Sequence, residues 1–485
     1  MFSEDLSGRK AVFKRDLKRT EGYHMGGSEL EKYLEENRER HLEELKDFLR
    51  IPSISALEEN AGDMLNAAQW LEKHLAAAGM ENVEVIEGEG HPMVYAQWLH
   101  APNRPTMLVY GHYDVQPVDP LERWESPPFE PTVRKGNDGE DLYARGSSDD
   151  KGQLFAIIKA VEALIKTREK IPVNIKFLVE GEEEVGSRSI IEYTRQNQGS
   201  LDADVTLISD TAILSPKQPC ITYGLRGIWA GELIVRGPDT DLHSGLYGGV
   251  IHNPVQALAE IISSMHDDRG RVIIEGFHDD VRDIPVPERK MLSQVPYGEK
   301  EIKQESGVGE LYGDPVYTPL ERIGAQPTLE INGIRGGFSG TGFKTVIPAE
   351  ASAKISCRLV PEQDPEHIGR LLRKHIDRVT PPTVTAELKP FAGMKAALVD
   401  PELPEIQAAV RAYKRSFGTE PVFTLSGGGI PVATLFLEEL DSPVILMGFG
   451  LPDDNLHAPN EKIHIPNFYR GIRAAVYFME ELRDI

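Results

Sequence analysis

MLVYGHYDVQP, residues 107–117, is the most informative stretch of the sequence. Its apolar run, Met107 to Tyr110, predicts a strand buried on both faces, as in parallel sheets. The run is followed by His112 and Asp114, whose side chains project to the same side because side chains alternate along a strand. Two polar groups at the end of a buried strand predict a charged site at that edge of the sheet.

Strands and helices alternate around this stretch. Strands are predicted over residues 83–87, 93–99, 106–111, 173–181 and 204–210. Helices are predicted over residues 149–167 and 187–198. This alternation is typical of an α/β domain with a sheet flanked by helices.

The pattern changes after Tyr223 and changes back near Asp400. Between them, two strand–helix–strand units predict a small inserted α+β domain, and the Pro- and charge-rich span 280–315 predicts a loop or a surface helix. We therefore predict an N-terminal tail, a catalytic domain in two parts and an inserted lid, with the limits 1–27, 28–222 plus 394–485, and 223–393. Met25 is an alternative start to the chain.

Composition excludes several classes of partner. The 485 residues carry a net charge of -24, which disfavours binding to nucleic acid or to anionic membranes. No apolar window is long enough to span a membrane. The two cysteines, Cys220 and Cys357, form no CxxC pair, so neither a disulfide framework nor a thiolate metal site is expected, and a cytoplasmic location fits.

Acidic residues and a second histidine follow other predicted elements. They are Asp149 and Asp150 at a helix start, Glu182, Glu183 and Glu184 after a strand, Asp210 after the next strand, and His457 in a late loop. Taken singly, they could be a helix cap, a solvated turn and an exposed histidine. Taken together, they would line one crevice of an α/β sheet and repel one another without cations. Histidines and carboxylates without thiolates suit two zinc ions, or manganese or cobalt.

Ten ordered motifs carry a resemblance to a known family. They are GHYDVQP, RGSSDDKG, EGEEEVGS, ISD, ITYGLRG, DLHSGLYGG, SGTGFKTVIP, CRLVP, GGGIPV and HAPNEKI. The chain resembles the dizinc metallopeptidase family of carnosinase, cytosolic non-specific dipeptidase, glutamate carboxypeptidase, aminoacylase and succinyl-diaminopimelate desuccinylase, and within it the dipeptidase-like branch. The resemblance implies a zinc-exopeptidase-like catalytic domain with a mixed sheet, and a ferredoxin-like lid that forms a homodimer.

The resemblance also implies residue roles. The metal ligands would be His112, Asp149, Glu184, Asp210 and His457, with Asp149 bridging the two ions. Asp114 would clamp His112, and Glu183 would be the general base. In the lid, His243 would stabilise the oxyanion, often from the partner subunit of a dimer.

Substrate binding is implied by the same resemblance for four residues. They are Arg358, which would grip a terminal carboxylate, and Thr345, Gly428 and Gly429, which would help to position it. Gly429 departs from the pattern, because many dipeptidase-like members have serine there. We expect cleavage of dipeptides or short peptides. The alternative is an N-acyl-amino-acid deacylase or desuccinylase with the same metal site, and a non-catalytic binding protein is a third reading.

Overall fold

The computed structural model describes residues 26–168 and 171–485. Most of the predicted tail, residues 1–27, lies outside these ranges, and Gly26 and Gly27 already belong to the first helix. Among the helices of these two ranges, none combines the length and apolar character that a membrane span requires.

The helices are α1 (Gly26–Glu36), α2 (Arg38–Leu49), α3 (Ala61–Ala78), α4 (Lys151–Thr167), α5 (Arg188–Gln196), α6 (Gln198–Leu201), α7 (Ser244–Tyr247), α8 (Pro254–Ser263), α9 (Val286–Leu292), α10 (Glu299–Ser306), α11 (Pro319–Gly324), α12 (Pro365–Val379), α13 (Pro404–Phe417), α14 (Pro431–Glu439) and α15 (Ile465–Leu482). Short 3-10 turns lie at Glu58–Asn60, Leu121–Arg123 and Glu183–Val185.

The strands are β1 (Glu81–Ile86), β2 (Met93–Trp98), β3 (Thr106–His112), β4 (Thr132–Lys135), β5 (Glu140–Tyr143), β6 (Asn174–Glu180), β7 (Val205–Ile208), β8 (Cys220–Leu225), β9 (Gly227–Arg236), β10 (Leu242–His243), β11 (Thr328–Gly336), β12 (Val346–Ile347), β13 (Glu350–Leu359), β14 (Thr385–Met394), β15 (Ala397–Leu398), β16 (Val422–Ser426), β17 (Val444–Leu446) and β18 (Lys462–His464).

The largest sheet is mixed and has nine strands in the order β1-β2-β6-β3-β7-β17-β8-β15, with β16 paired to β8. Its centre, from β6 to β17, is parallel. Side chains of β3 alternate between the two faces: Met107 and Val109 pack into the core that contains α4 and α15. Leu108 and Tyr110 pack into the core that contains α14. Helices therefore cover both faces, and the predicted α/β class is confirmed.

A second sheet of four antiparallel strands has the order β11-β13-β9-β14. With α8 after β9 and α12 after β13, this is the ferredoxin-like arrangement that was predicted for the lid. Its core is separate and is built from strand residues such as Leu233 and Ile355 and helix residues such as Leu258 and Leu372. The inserted α+β unit is thereby confirmed as part of the fold class.

The chain passes between the two sheets twice, between Leu225 and Gly227 and between Met394 and Ala397. The predicted domain limits at 223 and 393 stay predictions. One part of this span packs away from the lid core, because α9 and α11 contact β16 of the large sheet. A small core of Tyr223, Leu292 and Leu425 joins them there.

Candidate metal centre

Four parallel strands of the large sheet end at one edge. β3 ends at His112, and β6 and β7 end beside it because they pair with β3 in parallel. The loops after β6 and β7 carry Glu184 and Asp210. β17 pairs in parallel with β7, and the loop after it carries His457. The parallel topology therefore collects these side chains at one edge of the sheet.

Asp149 lies between two clusters of possible ligand atoms. On one side, His112 Nε2 lies 3.1 Å from Asp149 Oδ1 and 3.7 Å from Asp210 Oδ2. On the other side, His457 Nε2 lies 3.0 Å from Asp149 Oδ2 and 3.3 Å from Glu184 Oε2. Each cluster thus contains one histidine, one carboxylate of its own and one oxygen of Asp149.

The two clusters fit divalent metal ions. In each of them, three possible ligand atoms lie within 4.8 Å of one another. Ligands about 2 Å from a tetrahedral ion are roughly 3.3 Å apart, which is close to the separations seen here. Within the described residues, His112 Nε2 is buried and has no hydrogen-bond partner, so a cation would satisfy it. The donor set is imidazole nitrogen and carboxylate oxygen, which suits zinc, manganese or cobalt.

Asp114 connects several parts of this site through one buried carboxylate. Its Oδ1 lies 3.3 Å from His112 Nδ1 and accepts the main-chain N–H of Glu183 at 3.2 Å. Its Oδ2 accepts the main-chain N–H of Glu184 at 3.1 Å and the hydroxyl of Ser55 at 2.7 Å. The position fits a carboxylate that orients a metal-binding histidine. The sequence motif indicated the contact with His112 but not the contacts with the Glu183–Glu184 turn.

Two supporting residues were not singled out in the sequence. Glu461 accepts the main-chain N–H of Asp149 at 3.1 Å and is held by Arg145 Nη1 at 2.8 Å. Gln116 donates a hydrogen bond of 2.7 Å to Glu184 Oε2. Glu461 lies in the motif HAPNEKI and Gln116 lies in the motif GHYDVQP. The motifs therefore contained both residues, but the sequence did not indicate the distant residues that they contact.

Burial and hydrogen bonds shift the ionisation of the site in opposite directions. Burial raises the pKa of Asp149, but its close contacts with the imidazole groups of His112 and His457 outweigh burial and hold the pKa below its ordinary value. Hydrogen bonds to Asp149 and Glu184 raise the pKa of His457 to about 10. Burial is the largest influence on Glu183 and raises the pKa of its carboxyl to about 8. Neighbouring carboxylates also raise that pKa, and such a concentration of acids favours cations.

Three of the predicted substrate-binding residues lie at the junction of the two sheets. Arg358 is on β13 opposite Ile228 of β9. Gly428 and Gly429 follow β16, and the main-chain oxygen of Gly428 accepts the N–H of Arg226 at 3.0 Å. The residues Arg358, Gly428 and Gly429, predicted to bind substrate, are therefore grouped around Arg226.

His243 and Thr345 lie together on another part of the lid. β10 pairs with β12, which places His243 opposite Val346. The main-chain oxygen of Thr345 accepts the N–H of Ser244 at 3.1 Å. Both side chains are exposed, and His243 Nδ1 accepts the N–H of Gly245 at 2.9 Å. Among the ion pairs of the part of the chain that the structure describes, none links His243 to the candidate metal ligands.

The chain is similar to several known proteins over most of its length. The family described as Peptidase family M20/M25/M40 matches residues 108–481. A Cys-Gly metallodipeptidase of Schizosaccharomyces pombe is 32% identical over 476 residues, which cover 95% of this chain and 99% of that protein. The human Beta-Ala-His dipeptidase is 30% identical over 466 residues, which cover 92% and 91% of the two chains. The solved structure of an M20 family metallo-carboxypeptidase from Sulfolobus solfataricus is 34% identical, with a TM-score of 0.81 and coverage of 92% of this chain and 99% of that one.

The chain belongs to peptidase family M20/M25/M40. It is a metallopeptidase, and the predicted resemblance to the dipeptidase-like branch of the dizinc family is confirmed. The zinc-exopeptidase-like fold with an inserted lid is confirmed as well.

Proposed function

We propose that this metallopeptidase hydrolyses dipeptides or short peptides and binds two divalent ions, most readily zinc, in the two clusters. His112, Asp149 and Asp210 would hold the first ion. Asp149, Glu184 and His457 would hold the second. The observation that carries the proposal is the shared carboxylate of Asp149, which presents one oxygen to each histidine.

Charge favours two ions over one. Three carboxylates and two neutral histidines facing a single divalent ion would leave one negative charge in a largely buried site, which costs free energy, whereas with two divalent ions one hydroxide would bring the site to neutrality. When bound, such ions lower the pKa of a water molecule and polarise the carbonyl oxygen of the scissile bond. Manganese or cobalt could replace zinc with the same ligands.

Glu183 is assigned as the general base. It precedes the proposed ligand Glu184, and Asp114 holds the main-chain N–H groups of both residues. Within the described ranges, the carboxylate of Glu183 makes no hydrogen bond or ion pair. Divalent cations bound nearby would favour its ionised form over the pKa of about 8 that burial gives it. The ionised carboxylate is then free to take a proton from the attacking water and to pass that proton to the leaving amine nitrogen.

Arg358, Gly428 and Gly429 would bind the free carboxylate of the substrate. A guanidinium group matches a carboxylate with two parallel hydrogen bonds, and glycine leaves the main chain open to the ligand. A Cβ at Gly429 would lie 2.4 Å from Met394 Cε and 2.5 Å from the main-chain oxygen of Arg226. The chain therefore has no room for serine at this position, and the substrate would bind without that hydroxyl.

A homodimer through the lid would complete the active site. Large apolar side chains are exposed on this part of the chain, namely Leu246, Val250, Ile334, Phe338 and Phe343. Phe343 is 90% exposed and Val250 is 81% exposed. Exposed apolar patches mark contacts with other proteins, and a second copy of the chain would cover this one. His243 and Thr345 are exposed on the same unit, where they could reach the active site of the other subunit.

The dipeptidase reading is preferred to the deacylase reading because the relatives from Schizosaccharomyces pombe and human, which match more than 90% of both chains, are named as dipeptidases. We propose a cytoplasmic location, supported by two buried cysteines that form no disulfide.

The test is a panel of substrates with controlled metal content. Rates are measured for several dipeptides, a tripeptide, an acetyl-amino acid and succinyl-diaminopimelate, before and after chelation, with zinc, manganese or cobalt added back. We expect dipeptide cleavage that is lost on chelation and recovered with metal. Cleavage of acyl substrates alone would move the protein to the deacylases. Full activity after verified removal of metal would contradict the metal assignment.

A further inference from the structure

Arg226 is a buried cation at the junction between the two sheets. It lies between Leu225, where β8 ends, and Gly227, where β9 begins. The residue is only 9% exposed. Its Nε donates to the main-chain oxygen of Gly427 at 3.2 Å, and its Nη1 donates to that of Gln326 at 3.4 Å. Both acceptors are neutral, so these two hydrogen bonds do not balance the charge of the guanidinium group.

Arg358 lies near Arg226. It is opposite Ile228, and Arg226 precedes Ile228 by two residues, just before β9 begins, so the two arginines are neighbours at this end of the lid sheet. Burial, followed by the positive charge of Arg358, lowers the pKa of Arg226 to about 10. The two guanidinium groups therefore repel each other in a partly dehydrated place.

The surroundings do not supply the missing negative charge. Glu330, an exposed residue of β11, is the acidic side chain that raises the pKa of Arg226. Within residues 26–168 and 171–485, however, neither Arg226 nor Arg358 has a carboxylate oxygen within 4.0 Å. Two neighbouring cations without a paired anion are costly unless a ligand supplies one.

We propose that Arg226 is a second carboxylate-binding residue of the active site, so that the terminal carboxylate of the substrate binds between Arg226 and Arg358 beside Gly428. This inference rests on the proposed function and restricts the substrates to peptides whose free C-terminal carboxylate reaches the two arginines. A substrate with a free carboxylate would balance both arginines, whereas an amide or a longer C-terminal extension would leave them unpaired. Arg226 also holds the main chain of Gly427 and Gly428, which keeps the carboxylate site and the glycine loop in register.

The test compares an acid with its amide. Values of kcat and KM are measured for L-alanyl-L-alanine and L-alanyl-L-alaninamide in the wild type, Arg226→Met and Arg226→Lys. We expect Arg226→Met to lower kcat/KM for the acid at least about 10-fold more than for the amide, mainly through KM, because a charge-assisted contact is lost. Arg226→Lys should keep part of the acid preference, since lysine retains the charge without the planar fork.

Equal losses for acid and amide would mean that Arg226 only shapes the glycine loop, and would overturn the inference. Arg236→Met is the matched control, because Arg236 is the last residue of β9, the strand that Arg226 precedes, but forms surface ion pairs with Glu350 and Glu387. That variant should leave the acid-to-amide ratio unchanged. If Arg226→Met does not fold, Arg226→Lys still tests the inference. An acid-to-amide ratio of kcat/KM equal to that of the wild type would contradict the proposal.

The design separates this inference from the proposed function. The same comparison is made with N-acetyl-L-alanine and N-acetyl-L-alaninamide, whose carboxyl ends match those of the dipeptides. A wild type that cleaves only the acyl pair refutes the peptidase proposal, while its acid-to-amide ratio still tests Arg226. If the wild type cleaves neither pair, binding of the four compounds to the metal-loaded protein is measured by calorimetry. The wild type should then bind each acid more tightly than its amide, and this difference in affinity should depend on Arg226.

Discussion

Replacing Asp114 by asparagine tests whether this carboxylate positions the candidate metal ligands. Asp114 is 0% exposed. Its Oδ1 faces His112 Nδ1 and the N–H of Glu183, and its Oδ2 accepts the N–H of Glu184 and the hydroxyl of Ser55. Asparagine has nearly the same shape, but one of its two terminal groups is an NH2 donor. The substitution therefore changes charge and hydrogen bonding with little change in volume.

Either orientation of the new amide leaves a main-chain N–H facing a donor. If the NH2 group takes the place of Oδ1, the main-chain N–H of Glu183 loses its acceptor. If it takes the place of Oδ2, the main-chain N–H of Glu184 loses its acceptor. A buried N–H without a partner costs about 1–3 kcal/mol. The turn can relieve this cost only by moving Glu184 away from its cluster. At about 1.4 kcal/mol for each factor of ten, we expect zinc affinity to fall roughly 10- to 100-fold.

The assay is titration of metal-free protein with zinc in competition with a chromophoric chelator, alongside urea unfolding. Asp141→Asn is the matched control, because Asp141 is also buried and lies 2.7 Å from His464 Nδ1, but belongs to neither candidate cluster. We expect this variant to lose stability and to keep its zinc affinity. An unchanged affinity in Asp114→Asn, or equal losses in the two variants, would refute the positioning role of Asp114.

Three further changes test other parts of the molecule. Glu183→Gln should keep its metal ions, by elemental analysis, but lose about 10²- to 10⁴-fold in kcat, and a normal kcat would remove Glu183 as the base. Mixed His243→Ala and Glu183→Ala subunits should recover activity in verified heterodimers, whereas no recovery would indicate that His243 acts within one subunit. Burial, followed by the charge of Arg378, lowers the pKa of His375 in the folded protein. As the pH falls, the unfolded chain therefore binds the proton at a higher pH than the folded protein does, and the free energy of unfolding decreases below about pH 6.5. His375→Gln should therefore flatten the loss of unfolding free energy between pH 7 and pH 5 in urea titrations, and an unchanged slope would contradict this account.

The candidate ligands could be predicted from the sequence because parallel strands share an edge. The residues that follow each parallel strand lie at the same edge of the sheet and line the same crevice, whatever the length of the helix between the strands. His112 ends one such strand, Glu184 and Asp210 follow two others, and the structure brings His112 Nε2 to within 3.7 Å of Asp210 Oδ2. The strand ends and the types of the residues there predicted the crevice, whereas the choice of Asp149 and Glu184 as ligands, rather than Asp150 and Glu183, was implied only by the resemblance to the dizinc metallopeptidases.

Supporting contacts could not be predicted in the same way. Ser55 meets Asp114 across 59 positions, and Glu461 meets the main chain of Asp149 across 312 positions. Such contacts depend on loop conformations that leave no periodic signal. The span 280–315 shows the same limit, because its composition predicted only a loop or a surface helix. In the structure, α9 of this span contacts β16, the strand that leads into the glycine loop.

The order of strands and helices, the α/β and α+β character of the two units, the acidic charge and the crevice that collects the candidate ligands follow from local properties of the sequence, because periodicity and residue chemistry act over a few positions. The choice of particular ligands within that crevice was implied only by the resemblance to the dizinc metallopeptidases. The pairing of Arg226 with Arg358, the support of the Glu183–Glu184 turn by Asp114 and the missing space at Gly429 depend on tertiary structure. These features arise where β8, β9, β13 and the loop after β16 meet, and contacts between segments so far apart in sequence are set only when the two sheets pack.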